Sequence, residues 1–231
     1  MQITSNFDSG NISVIDASQA NNIQLAIVKD NESDFYQWFH FKLQQSSEDN
    51  ENIEHIIHLT NAGSSAYVEG WEDYQAVASY DREHWFRVPT EFDGNKLTIT
   101  LTPEYDSVYF AYFAPYSYER HQDLIHGAQM HLDCQLQVLG QTLDGRDMSL
   151  LKIGEDGEGK KNIWLTARQH PGETMAEWFM EGFIDRLLDE DDGVARALLN
   201  KAVFYIVPNM NPDGSVRGHL RTNACGANLN R

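Results

Sequence analysis

Apolar and polar residues alternate through the first half of the chain. "DFYQWFHFKL" puts Phe35, Phe39 and Phe41 on one side and Trp38, His40 and Lys42 on the other, the period-two pattern of a strand. "NIEHIIHLTNAG", "NKLTITLT" and "DSVYFAYFAPY" behave alike, separated by Gly, Asn, Asp and Pro. No long helical pattern interrupts them. Short strands without crossover helices pair antiparallel, so this half reads as an all-β antiparallel sandwich.

The pattern changes near residue 117. "YERHQDLIHGAQMHL" reads as a helix, "CQLQVLG" and "MSLLKIG" as a hairpin pair, and "NIWLTA" as a near-continuous apolar strand. From Glu173, the residues Met175, Trp178, Phe179, Phe183 and Leu187 form the stripe of an amphipathic helix. "GVARALLN" adds a shorter helix and "AVFYIV" a further apolar strand. Strand, helix, strand is a βαβ unit with parallel strands. Two domains follow: a β-sandwich over residues 1–117, then an α/β domain over 118–231 with a mixed, largely parallel sheet. Beyond Val207, the residues Pro208, Pro212 and Gly214 predict an irregular loop rather than another helix.

Charge narrows the partners. The 231 residues hold 17 Lys and Arg against 35 Asp and Glu, a net charge of −18, which excludes general affinity for nucleic acid or anionic membranes. The charge is uneven. Lys201, Arg217, Arg221 and Arg231 face only Asp213 after residue 200, a local +3 that leaves −21 on the rest and points to an anion site. Cys134 and Cys225 are the only cysteines, too few for a disulfide framework, and a reducing compartment is expected. The start, "MQITSNFDSGNISVID", has no basic segment followed by an apolar one, and no apolar run reaches membrane-span length. A soluble cytoplasmic protein is the expectation.

Candidate chemistry lies at the strand ends of the second half. His170 follows the strand "NIWLTA", and Glu173 opens the helix after it, with Pro171 and Gly172 able to bend the chain between them. Ligand sites in open α/β sheets gather at this end of the strands. An imidazole and a carboxylate are suitable zinc ligands, and a catalytic zinc takes three protein ligands and a water. The plainer reading is a polar loop residue and an acid favouring the helix dipole. A lone H-x-x-E does not separate the two. The next strand leaves at the same sheet edge and leads to Arg221, Asn230 and Arg231, whose guanidinium forks and amide suit a carboxylate. Surface charge is the plainer reading of these arginines. His40, His55, His58 and His84 fall among the predicted strands. His55 and His58, three apart, point to opposite faces of a strand and are expected to be structural.

"ARQHPGETMAEWFMEGFI", "IVPNMNPDG" and the R-x8-NR spacing from Arg221 to Arg231 resemble the zinc metallocarboxypeptidase family, which includes carboxypeptidase A. "FDSGNI", "QWFHFKL" and "VYFAYFAPYSYERHQDLI" are similar, more narrowly, to its cytosolic carboxypeptidase branch, in which a β-sandwich precedes the catalytic domain. The resemblance implies one zinc ion held by His170 and Glu173, an oxyanion-stabilising role for Arg221, and a grip on the substrate's terminal carboxylate by Asn230 and Arg231. The implied activity is removal of C-terminal residues from peptides or protein tails, including C-terminal glutamate. The family's third zinc ligand, general-base glutamate and mobile tyrosine would fall beyond Arg231. His219 does not match the missing ligand, while His121, His126 and His131 read as surface or helix residues. An incomplete catalytic domain is therefore expected, one that binds metal weakly and does not turn over alone. The alternatives are a zinc amidohydrolase acting on N-acyl amino acids and a non-catalytic protein that binds carboxylate tails.

Overall fold

Alternating burial builds the first half. In the computed structural model, which describes residues 1–45 and 53–231, the strands are β1 (Gln2–Thr4), β2 (Ser13–Asp16), β3 (Ile23–Ala26), β4 (His40–Gln44), β5 (His55–Leu59), β6 (Val77–Ser79), β7 (Phe86–Arg87), β8 (Thr90–Phe92), β9 (Leu97–Leu101) and β10 (Ser107–Ala111). Asn52, which opens one predicted strand segment, lies outside the described residues. One sheet runs β1-β4-β10-β6-β7 and the other β2-β3-β5-β9-β8. Phe41, Leu43, Val108 and Phe110 of the first meet Leu25, Ile57, Leu97 and Ile99 of the second in one apolar cluster. The sheets therefore pack face to face as a sandwich. On β5 the period of two sends His55 inward with Ile57 and Leu59 and leaves His58 half-buried on the other face, where it meets Thr98 Oγ1 at 2.9 Å.

Two details depart from the expected sandwich. First, β3 and β5 pair parallel, Leu25 opposite Leu59. The chain between them detours through β4 in the opposite sheet, the kind of crossover a parallel pair requires. Second, "DFYQWFHFKL" becomes a strand only from His40, and Trp38 and His40 are as buried as Phe39 and Phe41. The N-terminal segment covers their side: Trp38 Nε1 donates to the Ser9 carbonyl at 2.9 Å, and Ser9 Oγ meets His40 Nδ1 at 3.0 Å.

The second half starts with α1 (Tyr118–Ala128), followed by the hairpin of β11 (Cys134–Gln141) and β12 (Asp147–Ile153). Then come β13 (Lys161–Thr166), α2 (Met175–Leu188), α3 (Gly193–Leu199) and β14 (Ala202–Val207). The sheet order is β11-β12-β14-β13. The predicted βαβ unit is present, with β13 and β14 parallel, but β14 also pairs antiparallel with β12. The sheet is mixed rather than largely parallel among the described residues, because the hairpin joins at the β14 edge. Leu151, Ile206 and Leu165 share a row across it, as do Ile153, Phe204 and Ile163. These rows pack on Leu124, Ile125, Met180, Ile184 and Leu187 of the helices. On the opposite face Trp164 is 58% exposed and stacks on Tyr205, with ring centroids 4.8 Å apart.

The buried face of α2 keeps part of the predicted stripe, with Leu187 buried and Trp178 and Phe183 packed against the core, but is turned away from the rest. Met175 and Phe179 are exposed, while Glu177, Met180, Ile184, Leu187 and Leu188 face inward. A buried ion pair, described below, lets an acid occupy the core side. The predicted loop after β14 also contains a short helix, α4 (Pro212–Arg217). Its start and stop are ordinary: Asn211 Oδ1 accepts from Gly214 N, Pro212 sits in the first turn, and Gly218 ends it in the left-handed region at φ 71°. A Cβ at Gly218 would also meet the Ser9 carbonyl oxygen at 2.7 Å, so glycine is needed for space as well as conformation. No helix among the described residues is long and apolar enough to cross a membrane.

Burial, and then the charge of Arg82, push the His40 imidazole down from 6.5 to about 3. The unfolded chain binds this proton below 6.5 and the folded chain does not. Stability is therefore full above that value and falls as pH drops through the window. Between pH 7 and pH 5 this group should remove about 2 kcal/mol. Urea unfolding at both pH values should show a flatter dependence for His40→Gln than for the parent; equal slopes would exclude His40 as the source.

Candidate metal and carboxylate site

The loop from β13 to α2 carries His170 and Glu173, and a buried polar network sets its shape. Arg168 has a left-handed backbone, φ 46°, and is 2% exposed. Such a conformation is unfavourable for a residue with a side chain and persists where surrounding contacts over-determine it. Here Arg168 Nε donates to the Pro171 carbonyl at 3.1 Å, and Nη1 donates to the Tyr116 carbonyl at 2.8 Å and to Glu177 Oε2 at 2.7 Å. Glu177 is fully buried; its Oε1 meets His121 Nδ1 at 2.6 Å and its Oε2 accepts from Asn209 Nδ2 at 3.1 Å. Asn211 ties the two strand-end loops together, donating from Nδ2 to the Gln169 carbonyl at 3.2 Å. Gly172 N donates to the Leu220 carbonyl at 2.9 Å, and a Cβ on Gly172 would stand 3.0 Å from that oxygen.

This loop brings the predicted metal pair together. His170 Nδ1 lies 3.0 Å from Glu173 Oε1, and His170 Nε2 lies 3.0 Å from the Leu229 carbonyl. A carbonyl only accepts, so with the ring proton on Nε2 the Nδ1 lone pair faces a carboxylate oxygen, an arrangement that a cation between the two would satisfy. A backbone carbonyl holding the far nitrogen is the usual support of a metal-binding histidine. The 3.0 Å separation is also near the roughly 3.4 Å between two donors of one tetrahedral zinc. The pair fits zinc. No cluster of three or more His, Cys, Asp or Glu side chains able to hold a metal occurs among the described residues.

Arg221 completes the group. Its Nη2 is 3.2 Å from His170 Nε2, and its Nη1 is 3.6 Å from Glu173 Oε1. Glu173, Arg221, Asn228 and Arg231 line one side of a cavity of about 700 Å³, and Phe35, Tyr67, Tyr112 and Phe113 of the sandwich line the other. Asn230 is not among the lining residues; it is exposed, with a left-handed backbone at φ 64°, and its carbonyl accepts from Arg231 Nη1 at 2.7 Å. Asn228 lines the cavity instead, with a buried Oδ1 that has no hydrogen-bond partner among the described residues. The local +3 is smaller in space than in sequence, because Asp144 pairs with Arg217 at 2.8 Å.

Several site residues are absent from the sequence reading. His121, expected to be an ordinary surface or helix residue, is buried against Glu177. Glu177 carried a readable signal, an acid at helical spacing with Met180 and Ile184, but pairing with Arg168 is a tertiary contact. The sandwich wall of the cavity had no sequence signal at all.

Both halves of the chain are similar to known proteins. The cytosolic carboxypeptidase N-terminal domain family matches residues 3–113, and the zinc carboxypeptidase family matches residues 122–231. The second half of the chain is thus similar to the zinc carboxypeptidase family, and the first half to the domain that precedes the peptidase module in cytosolic carboxypeptidases. A metallo-carboxypeptidase from Pseudomonas aeruginosa, solved in complex with (2-guanidinoethylmercapto)succinic acid, superposes with a TM-score of 0.95 at 50% identity over all of this chain and 60% of its own. An uncharacterized protein of Zymomonas mobilis is 54% identical over the whole chain and 59% of its own length. Cytosolic carboxypeptidase 6 of Mus musculus is 31% identical over 97% of this chain and 45% of its own. The chain thus spans about three-fifths or less of these relatives.

Removing one partner of the buried pair leaves an uncompensated charge. Glu177→Gln should cost about 3–5 kcal/mol, and Arg168→Met a similar amount. The double variant should cost less than the two singles together, because neither charge is then stranded. Chemical denaturation of all four proteins measures this, and additive losses would show that the pair does not act as a unit.

Proposed function

We propose that this chain provides the metal-binding and carboxylate-binding part of a zinc carboxypeptidase that hydrolyses the C-terminal peptide bond of peptides or protein tails. One observation carries the reading: His170, Glu173 and Arg221 converge, with contacts of 3.0–3.6 Å, at the edge of a cavity that Arg231 also lines. His170 Nδ1 and a Glu173 carboxylate oxygen hold zinc, with the Leu229 carbonyl fixing the imidazole tautomer. When bound, zinc supplies Lewis acidity and an acidified water. Arg221 donates to the oxygen that gains charge as the scissile carbonyl becomes tetrahedral, an interaction worth more in the transition state than in the ground state. Arg231 grips the free carboxylate from the cavity wall, joined by its neighbour Asn230 as the resemblance implies although Asn230 does not line the cavity, and so cleavage is restricted to the last residue. That the Pseudomonas aeruginosa relative takes a succinic acid derivative, a molecule with carboxylates, supports a carboxylate-reading site.

The finer substrate is a peptide C-terminus without a glutamate preference set by these residues. Glutamate at the cleaved position would need a cation beyond Arg221 and Arg231, and the sandwich side of the cavity contributes uncharged aromatic groups. The names of the cytosolic carboxypeptidase relatives support a cytoplasmic setting.

In the intact gene product, His170→Ala should abolish zinc uptake, read by metal analysis of the purified protein. Arg231→Ala should raise KM at least about tenfold with zinc retained, since it removes a charge-assisted clamp. Full zinc occupancy in His170→Ala, or an unchanged KM in Arg231→Ala, would count against the assignment.

A further inference from the structure

Arg221 sits in a segment with almost no regular structure. Between the end of α4 and Arg231, the described backbone forms one isolated bridge, Thr222 to Asn228. The position of Arg221 therefore has to be fixed from outside. The contact that does so comes from the sandwich, some 190 residues earlier in the chain.

Asp30 follows β3 and is 3% exposed. Its Oδ1 accepts from Leu220 N at 2.6 Å. Its Oδ2 accepts from Arg221 N at 2.8 Å, from Thr222 N at 2.9 Å and from Thr222 Oγ1 at 3.2 Å. One carboxylate thus gathers three consecutive backbone N–H groups, centred on Arg221. Charged acceptors bind N–H donors more strongly than neutral ones, and this carboxylate is shielded from water. Neighbouring contacts brace the same seam. Asn31 N donates to His219 Nε2 at 3.3 Å, and Asn31 Nδ2 donates to the Ala224 carbonyl at 2.8 Å. These hold the flanks of the segment, and among the described residues Asp30 is the acceptor that holds the Arg221 backbone N–H.

We infer that Asp30 is a positioning residue for catalysis: through the backbone of residues 220–222 it sets where the Arg221 guanidinium meets the developing oxyanion, so the sandwich domain shapes the reaction from outside the peptidase module. The inference rests on the proposed role of Arg221. Oxyanion stabilisation is sensitive to such placement, because the donor must already stand where charge will appear. In Asp30→Asn one acceptor oxygen becomes an N–H₂ donor, which faces an N–H group of the segment instead of accepting from it. The segment around Arg221 must then shift, while the loop of His170 and Glu173 keeps its brace from Arg168.

The test uses the intact zinc-loaded gene product and compares Asp30→Asn, Arg221→Ala and the double variant. The readouts are kcat, KM, zinc content, and inhibition by a peptide phosphonate (a tetrahedral analogue) beside a simple dicarboxylate, benzylsuccinate. Asp30→Asn should lower kcat about 10- to 100-fold, below the loss from deleting an oxyanion donor outright. It should weaken the phosphonate by a similar factor and leave KM, benzylsuccinate binding and zinc content within about twofold. Adding Asp30→Asn to Arg221→Ala should cost nothing further. Independent, multiplying losses would overturn the inference, as would an unchanged kcat in Asp30→Asn. If Arg221→Ala itself keeps full kcat, the oxyanion role falls and the inference falls with it; if Arg221→Ala is impaired and Asp30→Asn is not, only the inference falls. Should Asp30→Asn not fold, Asp30→Glu, which keeps the charge but pushes the segment outward, carries the same comparison.

Discussion

Glu177 is a carboxylate with no exposure, placed on the core side of α2 where a leucine would be ordinary. It is tolerable there because Arg168, His121 and Asn209 surround it. Burying a charge is costly unless its partners are close and its lone pairs filled, and this network meets both conditions. In return it fixes a left-handed arginine at the head of the loop that carries His170 and Glu173. A hydrophobic replacement could pack as well, but it would not tie Arg168, Pro171 and Tyr116 to a single point. The His170–Glu173 pair depends on that tie, because its 3.0 Å geometry is a property of the loop and not of either side chain alone.

A second dependence runs between the halves of the chain. Ser9 N donates to the Val216 carbonyl, Asn11 Nδ2 to the Gly218 carbonyl, and Asp30 and Asn31 to the segment that follows or accept from it. These are polar contacts made by the sandwich with the strand-end loop that bears Arg221. The sandwich also gives the cavity its aromatic side. The site is thus built at a seam: one half brings the proposed metal ligands and the guanidinium groups, and the other fixes a backbone and walls the space.

The electrostatics follow from this arrangement. The chain is strongly acidic, yet two arginines remain at the cavity, since Arg217 is taken up by Asp144 and the acids of the cleft are limited to Glu173. Guanidinium groups gathered at one cavity give an acidic molecule a locally positive site.

Much of this was readable in the residues. Period-two alternation located the sandwich strands, and apolar runs with an intervening helical pattern located the βαβ unit, because these signals are local. The H-x-x-E spacing, the NPDG turn and the R-x8-NR spacing marked the loops that carry chemistry. The signals that failed were those decided at a distance. The parallel β3–β5 pair, the burial of Trp38 and His40, the rotated face of α2 and the inward His121 each depend on a partner far along the chain. Residue order alone determined which groups are available and on which element each sits. Tertiary structure alone decided which of them meet, since hydrogen bonds and ion pairs act over about 3 Å and no spacing rule reaches across the 191 positions between Asp30 and Arg221.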